Sequence, residues 1–463
     1  MGAVRVADTV SLENEDSIRK HLVGEDGRMA SGILLDLPES LGLSPSVLSL
    51  NDEKAVKRSR DSTVRHAVLK LHGISVGETL TPVKEYVLAV FQTKVVAVWR
   101  TRGHPVWNAS ARKKQTYVRA DVTESSKEMR KAQALAIRAV YALGLDYGLV
   151  RLRIGTGRRM GIVNVQPAPI LNKDMEKGFV QAIQSYYQQC IQPKPSVDRI
   201  VLGADPEFVM KTPDGNLVIA SRYVPIRGKV GCDAIWIGQN RNQKPLFELR
   251  PEPTPDPKTL VVRMYQALLY CAKKTRHVQC KWLAGSLPHP GFPIGGHIHF
   301  SGILPDFKLL RALDNYLTLP LTLAEDAKGI KRRPKYGFLG DFRYQEHGGF
   351  EYRTPPSWLV SPTLTKGVLA AAKVIAVNYR SLRHDPFAQL KMQEAYYSGN
   401  KKELAAWLEP IWEDLRQTEE YRLYARYLDD FFRYLASGKV WDETRDFRKS
   451  WRIPPYHLKN RGR

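Results

Sequence analysis

Four short pairs of chemistry-bearing residues, each spaced i and i+2, fall between positions 205 and 353 of a 463-residue chain, in GADPEF, FELRP, GGHIHF and GGFEYRTPPSWL. A β-strand sends i and i+2 to one face. Asp205 with Glu207, Glu248 with Arg250, His297 with His299, and Glu351 with Arg353 are therefore each expected to share a face. Two carboxylates held that close repel, and a cation is the usual remedy. Taken singly, each pair also suits a cross-strand ion pair or imidazoles hydrogen-bonded at a sheet surface. Taken together, they gather hard oxygen donors, imidazole and fixed guanidinium groups. Carboxylates with one imidazole suit Mg²⁺ or Mn²⁺ better than zinc. Guanidinium groups beside them suit phosphoryl oxygens, which a planar fork grips with two hydrogen bonds. Metal bridging plus arginine clamps is the equipment of phosphoryl transfer.

The surrounding chain has room for two or three domains and a sizeable core. Its formal net charge of +24 suits an anionic partner as well as a solvated basic surface. Four cysteines, Cys190, Cys232, Cys271 and Cys280, form no CxxC pair, which excludes a disulfide framework and a zinc knuckle. No apolar run approaches a membrane span and the first residues carry no secretory pattern, so a cytoplasmic location is the expectation.

The opening 60 residues show no chemistry. From Ser62 the text becomes helix and strand: HAVLKLHGI reads as a helix ending near Gly73, and EYVLAVFQTKVVAVWR as two strands. SSKEMRKAQALAIRAVYALGL reads as a helix capped by Ser126 and ended by Gly144, and RLRIGTGRRMGIVNV as a hairpin turning at Gly155–Gly157. IQPKPSVDR is the best linker. Beyond it RIVLGADPEFVM reads as one strand, PKTLVVRMYQALLYCAKK as a helix started by Pro257, and FKLLRALDNYLTLPLTLAEDA as a helix broken at Pro320. After Ser361 nearly everything reads as helix, with a frayed basic end at YHLKNRGR.

In their order, GADPEF, GCD…FELRPEP, GGHIHFSG and GGFEYRTPPSWL resemble the amidoligases of the phage-type carboxylate–amine ligase family, within the glutamine-synthetase-like superfamily. The resemblance covers about residues 200–362. It implies an α+β fold whose antiparallel sheet curves into a half-open barrel with flanking helices and carries two or three divalent ions. It further implies that Asp205, Glu207, Glu248, His297 and Glu351 ligate metal, helped by Asp233. Asp205 stands where glutamine synthetases have Glu, which shortens its reach. His299 matches the position nearer the substrate, and Arg353 the arginine that stabilises the transferring phosphoryl group, with Arg250 beside it. Arg332, Arg333 and Arg343, in GIKRRPKYGFLGDFRYQ, are expected at nucleotide phosphates, although such a run also suits a solvated basic loop. The paired glycines of GGHIHF are expected to let nucleotide or substrate approach the backbone.

The activity implied is ATP-dependent amide formation through an acyl phosphate, with Mg²⁺ or Mn²⁺, from small-molecule or peptide carboxylates and amines. His299 or a nearby carboxylate would take the amine's proton. Residues 60–172 resemble the carboxyl-terminal part of ATP-grasp enzymes. There Asn164, Gln166 and Arg151 replace the acidic and amide ligands of that family, so the copy reads as degenerate. The expected layout is 1–60 as an amino-terminal segment, 61–192 as the ATP-grasp-like domain, 198–400 as the amidoligase domain and 401–463 as a helical extension. Assembly into a homo-oligomer fits such folds. The alternatives are a phosphotransferase of guanidino-kinase type, an H-x-H hydrolase, and a non-catalytic basic binding or assembly protein. The hydrolase lacks further histidines in ligand spacing. Nucleic acid is not expected as a partner, because no recognition motif or interleaved basic–aromatic stripe is present.

Overall fold

The structure is a computed structural model and describes residues 4–6, 15–41, 47–102 and 116–454; the basic end at 456–463 and the 103–115 part of the ATP-grasp-like stretch lie outside them. The chain divides into two compact units, Met1–Pro193 and Lys194–Arg463. Among the described residues, no helix is long and apolar enough to cross a membrane.

In the first unit, β1 (Val4–Val6), β2 (Ile33–Asp36) and β3 (Val47–Leu50) form a small sheet, with α1 (Glu15–Leu22) packed beside it. After α2 (Glu53–Arg60) and α3 (Ser62–Leu71) come β4 (Pro82–Phe91), β5 (Lys94–Thr101), β6 (Tyr117–Ala120), α4 (Lys127–Ala142), β7 (Tyr147–Gly155), β8 (Met160–Gln166) and α5 (Lys173–Cys190). The five strands pair antiparallel in the order β6-β5-β4-β7-β8. Successive residues of β4 from Leu88 to Phe91 are all buried, so both sheet faces are covered rather than one. Ser126 caps α4 by accepting the Met129 N–H at 3.1 Å, as its position before an alanine-rich run predicts. Arg151 on β7 lies directly opposite Asn164 on β8.

The second unit contains β9 (Val201–Ala204), β10 (Glu207–Lys211), β11 (Val230–Cys232), β12 (Leu246–Leu249), α6 (Pro257–Lys274), β13 (Lys281–Leu283), β14 (Ile298–Ser301), α7 (Phe307–Leu313), α8 (Leu319–Ala324), β15 (Phe342–Tyr344) and β16 (Phe350–Tyr352). It ends in α9 (Pro362–Asn378), α10 (Leu390–Ser398), α11 (Lys401–Ala405), α12 (Leu408–Arg416), α13 (Tyr421–Ala436) and α14 (Arg448–Trp451). The fold is α+β, with antiparallel sheets, flanking helices and a helical carboxyl-terminal region. Where the resemblance implies one curved sheet, the strands make two four-stranded ones, β11-β12-β10-β13 and β15-β16-β14-β9. The stretch expected to be a single strand breaks at Asp205–Pro206, and the chain passes there from β9 in one sheet to β10 in the other. Proline has no N–H to give a ladder, so a break at Pro206 costs no hydrogen bond.

The apolar backs of the sheets fix which face is left for chemistry. Phe208 stacks on Phe247 and Trp282 with ring centroids 5.2 and 5.1 Å apart, while Phe447 meets Phe208 edge-on. Phe300 and Phe350 stack at 5.0 Å on the second sheet. Alternation then sends Glu207, Glu248, His299 and Glu351 to the opposite faces. Helix α9 is buried around most of its circumference and packs on α13. A Cβ on Gly367 would fall 2.3 Å from Phe431, so glycine is what lets these two helices approach. The irregularity expected at Pro320 lies earlier, in a wide turn over Asp314–Thr318; Pro320 itself sits in the first turn of α8, where a missing N–H is harmless.

Candidate metal and phosphoryl centre

Strand register brings the i, i+2 pairs together. Glu207 on β10 lies opposite Glu248 on β12, and His299 on β14 opposite Glu351 on β16, which in turn faces Arg343 on β15. Asp205 sits at the break between the two sheets, its N–H donating to His297 O at 3.3 Å. The segment before β14 is pinned on its other side as well: Glu207 N–H donates to Gly295 O at 2.9 Å, and Gly295 N–H to Glu207 Oε2 at 2.7 Å.

Those bonds explain GGHIHF differently from the expectation. A Cβ on Gly295 would lie 2.2 Å from His297 Nε2, and one on Gly296 would lie 2.5 Å from Pro356 O and 2.6 Å from Trp358 Nε1. The space the glycines free is filled by the protein's own imidazole and indole. It is not left for a nucleotide or substrate.

The carboxylates converge. Asp205 Oδ1 is 3.2 Å from His297 Nδ1, and Asp205 Oδ2 is 3.1 Å from His299 Nε2. Glu351 Oε1 is 3.3 Å from His297 Nδ1 and 3.1 Å from Arg353 Nε. Its Oε2 accepts from Arg343 Nε at 2.8 Å and from Gln345 Nε2 at 2.7 Å. Arg250 pairs with Glu248 and also donates to Ile226 O at 2.7 Å. One donor atom from each of Asp205, His299 and Glu351 lies within 4.8 Å of the others, a grouping that suits one metal ion. The resemblance makes His297 the ligand and His299 the substrate neighbour. The geometry gives His299 the third donor position and sets His297 between two carboxylates.

The charge balance is strained. Burial pushes Glu207 up to about 7, with Asp233 and Asp205 adding repulsion against the pull of His297 and the Gly295 N–H. Burial also pushes Glu248 up to about 9, with Asp205 and Glu207 outweighing Arg250. Burial opposes ionisation of Asp205 too, but His297 and His299 hold it well below the usual carboxylate range. His297 is raised because Asp205, Glu207 and Glu351 overcome its burial. Two carboxylates that ionise only against resistance describe a site short of positive charge. In addition, Asp205 Oδ1 and Glu351 Oε1 are buried and accept no hydrogen bond. Buried anionic oxygens held only by ion-pair contacts of 3.1–3.3 Å fit the donor set of a hard divalent cation.

Two of the basic side chains lie elsewhere than expected. Arg332 is buried and donates to Thr354 O at 2.8 Å and Pro355 O at 3.2 Å. Arg333 is buried against Glu325, Tyr396 O and the Tyr396 ring. The Nη groups of Arg332 and the guanidinium of Arg333 are spent on the protein, while the buried Arg332 Nε has no hydrogen-bond partner. Arg343 alone of that trio reaches the carboxylate cluster. Three participants went unnoticed in the sequence: Gln345, Ser357, which donates to Glu207 O at 2.5 Å, and Asp341, whose carbonyl accepts the Arg353 N–H at 2.8 Å. Gln345 extends the alternation of Arg343 by two, a signal that could have found it. The other two act through tertiary packing that leaves no local pattern.

Strands of two antiparallel sheets that gather carboxylates, imidazoles and arginines in this way define a candidate centre for a divalent metal. The family model described as phage phiEco32-like COOH.NH2 ligase-type 2 matches residues 202–453, and the chain belongs to that family. No curated protein matches the chain. Among solved structures, the macrocyclase MdnC of Microcystis aeruginosa MRC, bound with precursor peptide MdnA, is similar at 10% identity and a TM-score of 0.23, covering 30% of this chain and 65% of that one. A bifunctional glutathione synthetase from Pasteurella multocida is similar at 12% identity and a TM-score of 0.33, covering 55% and 52%. A novel glutamine synthase homolog is similar at 14% identity and a TM-score of 0.26, covering 55% and 70%. The chain thus spans less than two thirds of the first two.

Proposed function

We propose that the second unit is an ATP-dependent carboxylate–amine ligase. The observation that carries this is the pair of buried carboxylate oxygens, on Asp205 and Glu351, that accept no hydrogen bond although two histidines and two arginines stand beside these carboxylates. Asp205, His299 and Glu351 would hold one Mg²⁺ or Mn²⁺, and Glu207 and Glu248 would serve a second. Such ions offset the charge between a nucleotide phosphate and a substrate carboxylate. Arg353 and Arg343, both braced on Glu351, and Arg250, braced on Glu248, face the same charge with their remaining donors. The substrate carboxylate attacks the γ-phosphorus of ATP, the bond to ADP breaks, and an acyl phosphate forms. An amine then attacks the carbonyl, loses a proton to a carboxylate of the cluster, and expels phosphate to leave an amide. The substrates are small molecules or peptides carrying those two groups.

The test is to supply the full-length protein with Mg²⁺, ATP and pools of amino acids, short peptides and amines, and to follow ADP and phosphate. Release that requires both a carboxylate and an amine supports the ligase. Phosphate retained on a stable product would make the protein a phosphotransferase instead.

A further inference from the structure

A cavity of about 650 Å³ opens in the first unit, in the size range of small-molecule sites. One wall is α3, which contributes Lys70 and, one turn earlier, His66. The floor comes from the segment after α3, through Ile74, Val76 and Leu80. The β7–β8 hairpin adds Arg159 and Met160 to the lining. The lining therefore joins apolar side chains to two cations. Neither Lys70 nor Arg159 makes an ion pair or a side-chain hydrogen bond among the described residues. His66 Nε2 is buried 3.5 Å from Glu78 and has no hydrogen-bond partner.

The floor is held in shape before any ligand arrives. Val76 bridges Ile162 in parallel, and Gly77 N–H donates to Ile162 O at 2.8 Å. A Cβ on Gly77 would fall 2.6 Å from Gly161 O, and one on Gly161 would fall 2.7 Å from Gly77 Cα, so two glycines are needed for this contact. Arg153 then crosses beneath the segment. Its Nη1 donates to Gly77 O at 3.2 Å and Leu80 O at 3.4 Å, while its Nε is fixed by buried Glu85 at 2.8 Å. A loop clamped in this way loses little freedom on binding, which favours a preformed site over a chance hollow.

We propose that this cavity binds a small molecule with an apolar body and a terminal anionic group, the body lying on Ile74, Val76 and Leu80 and the anion between Lys70 and Arg159. It is a second site, separate from the carboxylate cluster, and it stands or falls independently of the ligase reading. The full-length protein is titrated calorimetrically with 4-phenylbutanoate, its neutral analogue 4-phenylbutan-1-ol, and acetate. The site predicts saturable binding of 4-phenylbutanoate, with the alcohol and acetate each at least tenfold weaker. Lys70→Glu with Arg159→Glu, both at exposed positions, should weaken 4-phenylbutanoate at least tenfold without changing the circular dichroism. Ala67→Phe, which fills the cavity from α3, should do the same with the cations intact. No binding of 4-phenylbutanoate, equal binding of all three probes, or binding indifferent to both sets of substitutions would overturn the proposal.

Discussion

Replacing Glu351 with glutamine removes one charge from the middle of the cluster at nearly constant shape. The native carboxylate is fully buried and engages Arg343, Gln345 and Arg353, with His297 at 3.3 Å. Breaking a buried pair by removing one partner costs roughly 3–5 kcal/mol when the other charge stays trapped. Here the penalty is smaller, about 1–3 kcal/mol, since the Arg343 side chain is 57% exposed and can turn to water. The larger effect is on metal. Loss of a group that merely supports a ligand typically weakens metal binding by about 10–100-fold, so loss of one of three direct donors should exceed about 100-fold. That factor corresponds to about 2.7 kcal/mol. Free Mn²⁺ is read by electron paramagnetic resonance while the full-length wild type and Glu351→Gln are titrated. Glu443→Gln, at a buried carboxylate that caps the Ser286 and Leu287 N–H groups, serves as control. An Mn²⁺ affinity for Glu351→Gln within threefold of wild type, or a loss matched by the control, would refute the reasoning.

Three further outcomes follow from the same geometry. His299→Ala should weaken Mn²⁺ binding more than His297→Ala, because His299 supplies a donor atom to the metal grouping; equal losses in the same titration would contradict the distinction. Arg332→Met should lower the unfolding midpoint in denaturant by the equivalent of about 2–3 kcal/mol, since it strips the buried Thr354 and Pro355 carbonyls of their donors, whereas an unchanged midpoint would show that those bonds add nothing to stability. Burial pushes Lys373, which donates to Ile200 O at the foot of β9, from 10.5 down to about 8, against the pull of Asp198 and Asp256. The folded chain thus releases this proton before the unfolded chain does, so the cost is full below pH 8 and relieved as pH rises toward 10.5. Denaturation across that window should show wild type gaining about 3 kcal/mol relative to Lys373→Met, and parallel profiles would exclude it.

Much of this site was legible as spacing. Four i, i+2 pairs on strand-like text marked the residues that gather, although Asp205, Arg250, His297 and Arg353 each lie just outside the strand that carries the other member of the pair, and the observed alternation around Phe208, Phe247, Phe300 and Phe350 has the strand period. Register was not legible. Nothing local says that Glu207 faces Glu248, or His299 faces Glu351, because such pairings are set by tertiary packing of distant segments. Pro206 carried a break that the apolar text around it concealed. Arg332 and Arg333 misled for a related reason: a basic run looks solvated, and only the fold shows carbonyls and Glu325 waiting inside for those forks. The glycines of GGHIHF, likewise, make room for neighbours that lie near them only after folding.

The central claim is that a carboxylate is activated by phosphoryl transfer and then captured by an amine. Once the substrate pools yield turnover, the carboxylate pool is supplied with ¹⁸O in its carboxyl groups and the released phosphate is analysed by mass spectrometry. Attack of the amine on an acyl phosphate breaks the carbon–oxygen bond, so each phosphate should carry one ¹⁸O derived from the carboxylate. Phosphate free of the label, formed in step with ADP, would contradict the account.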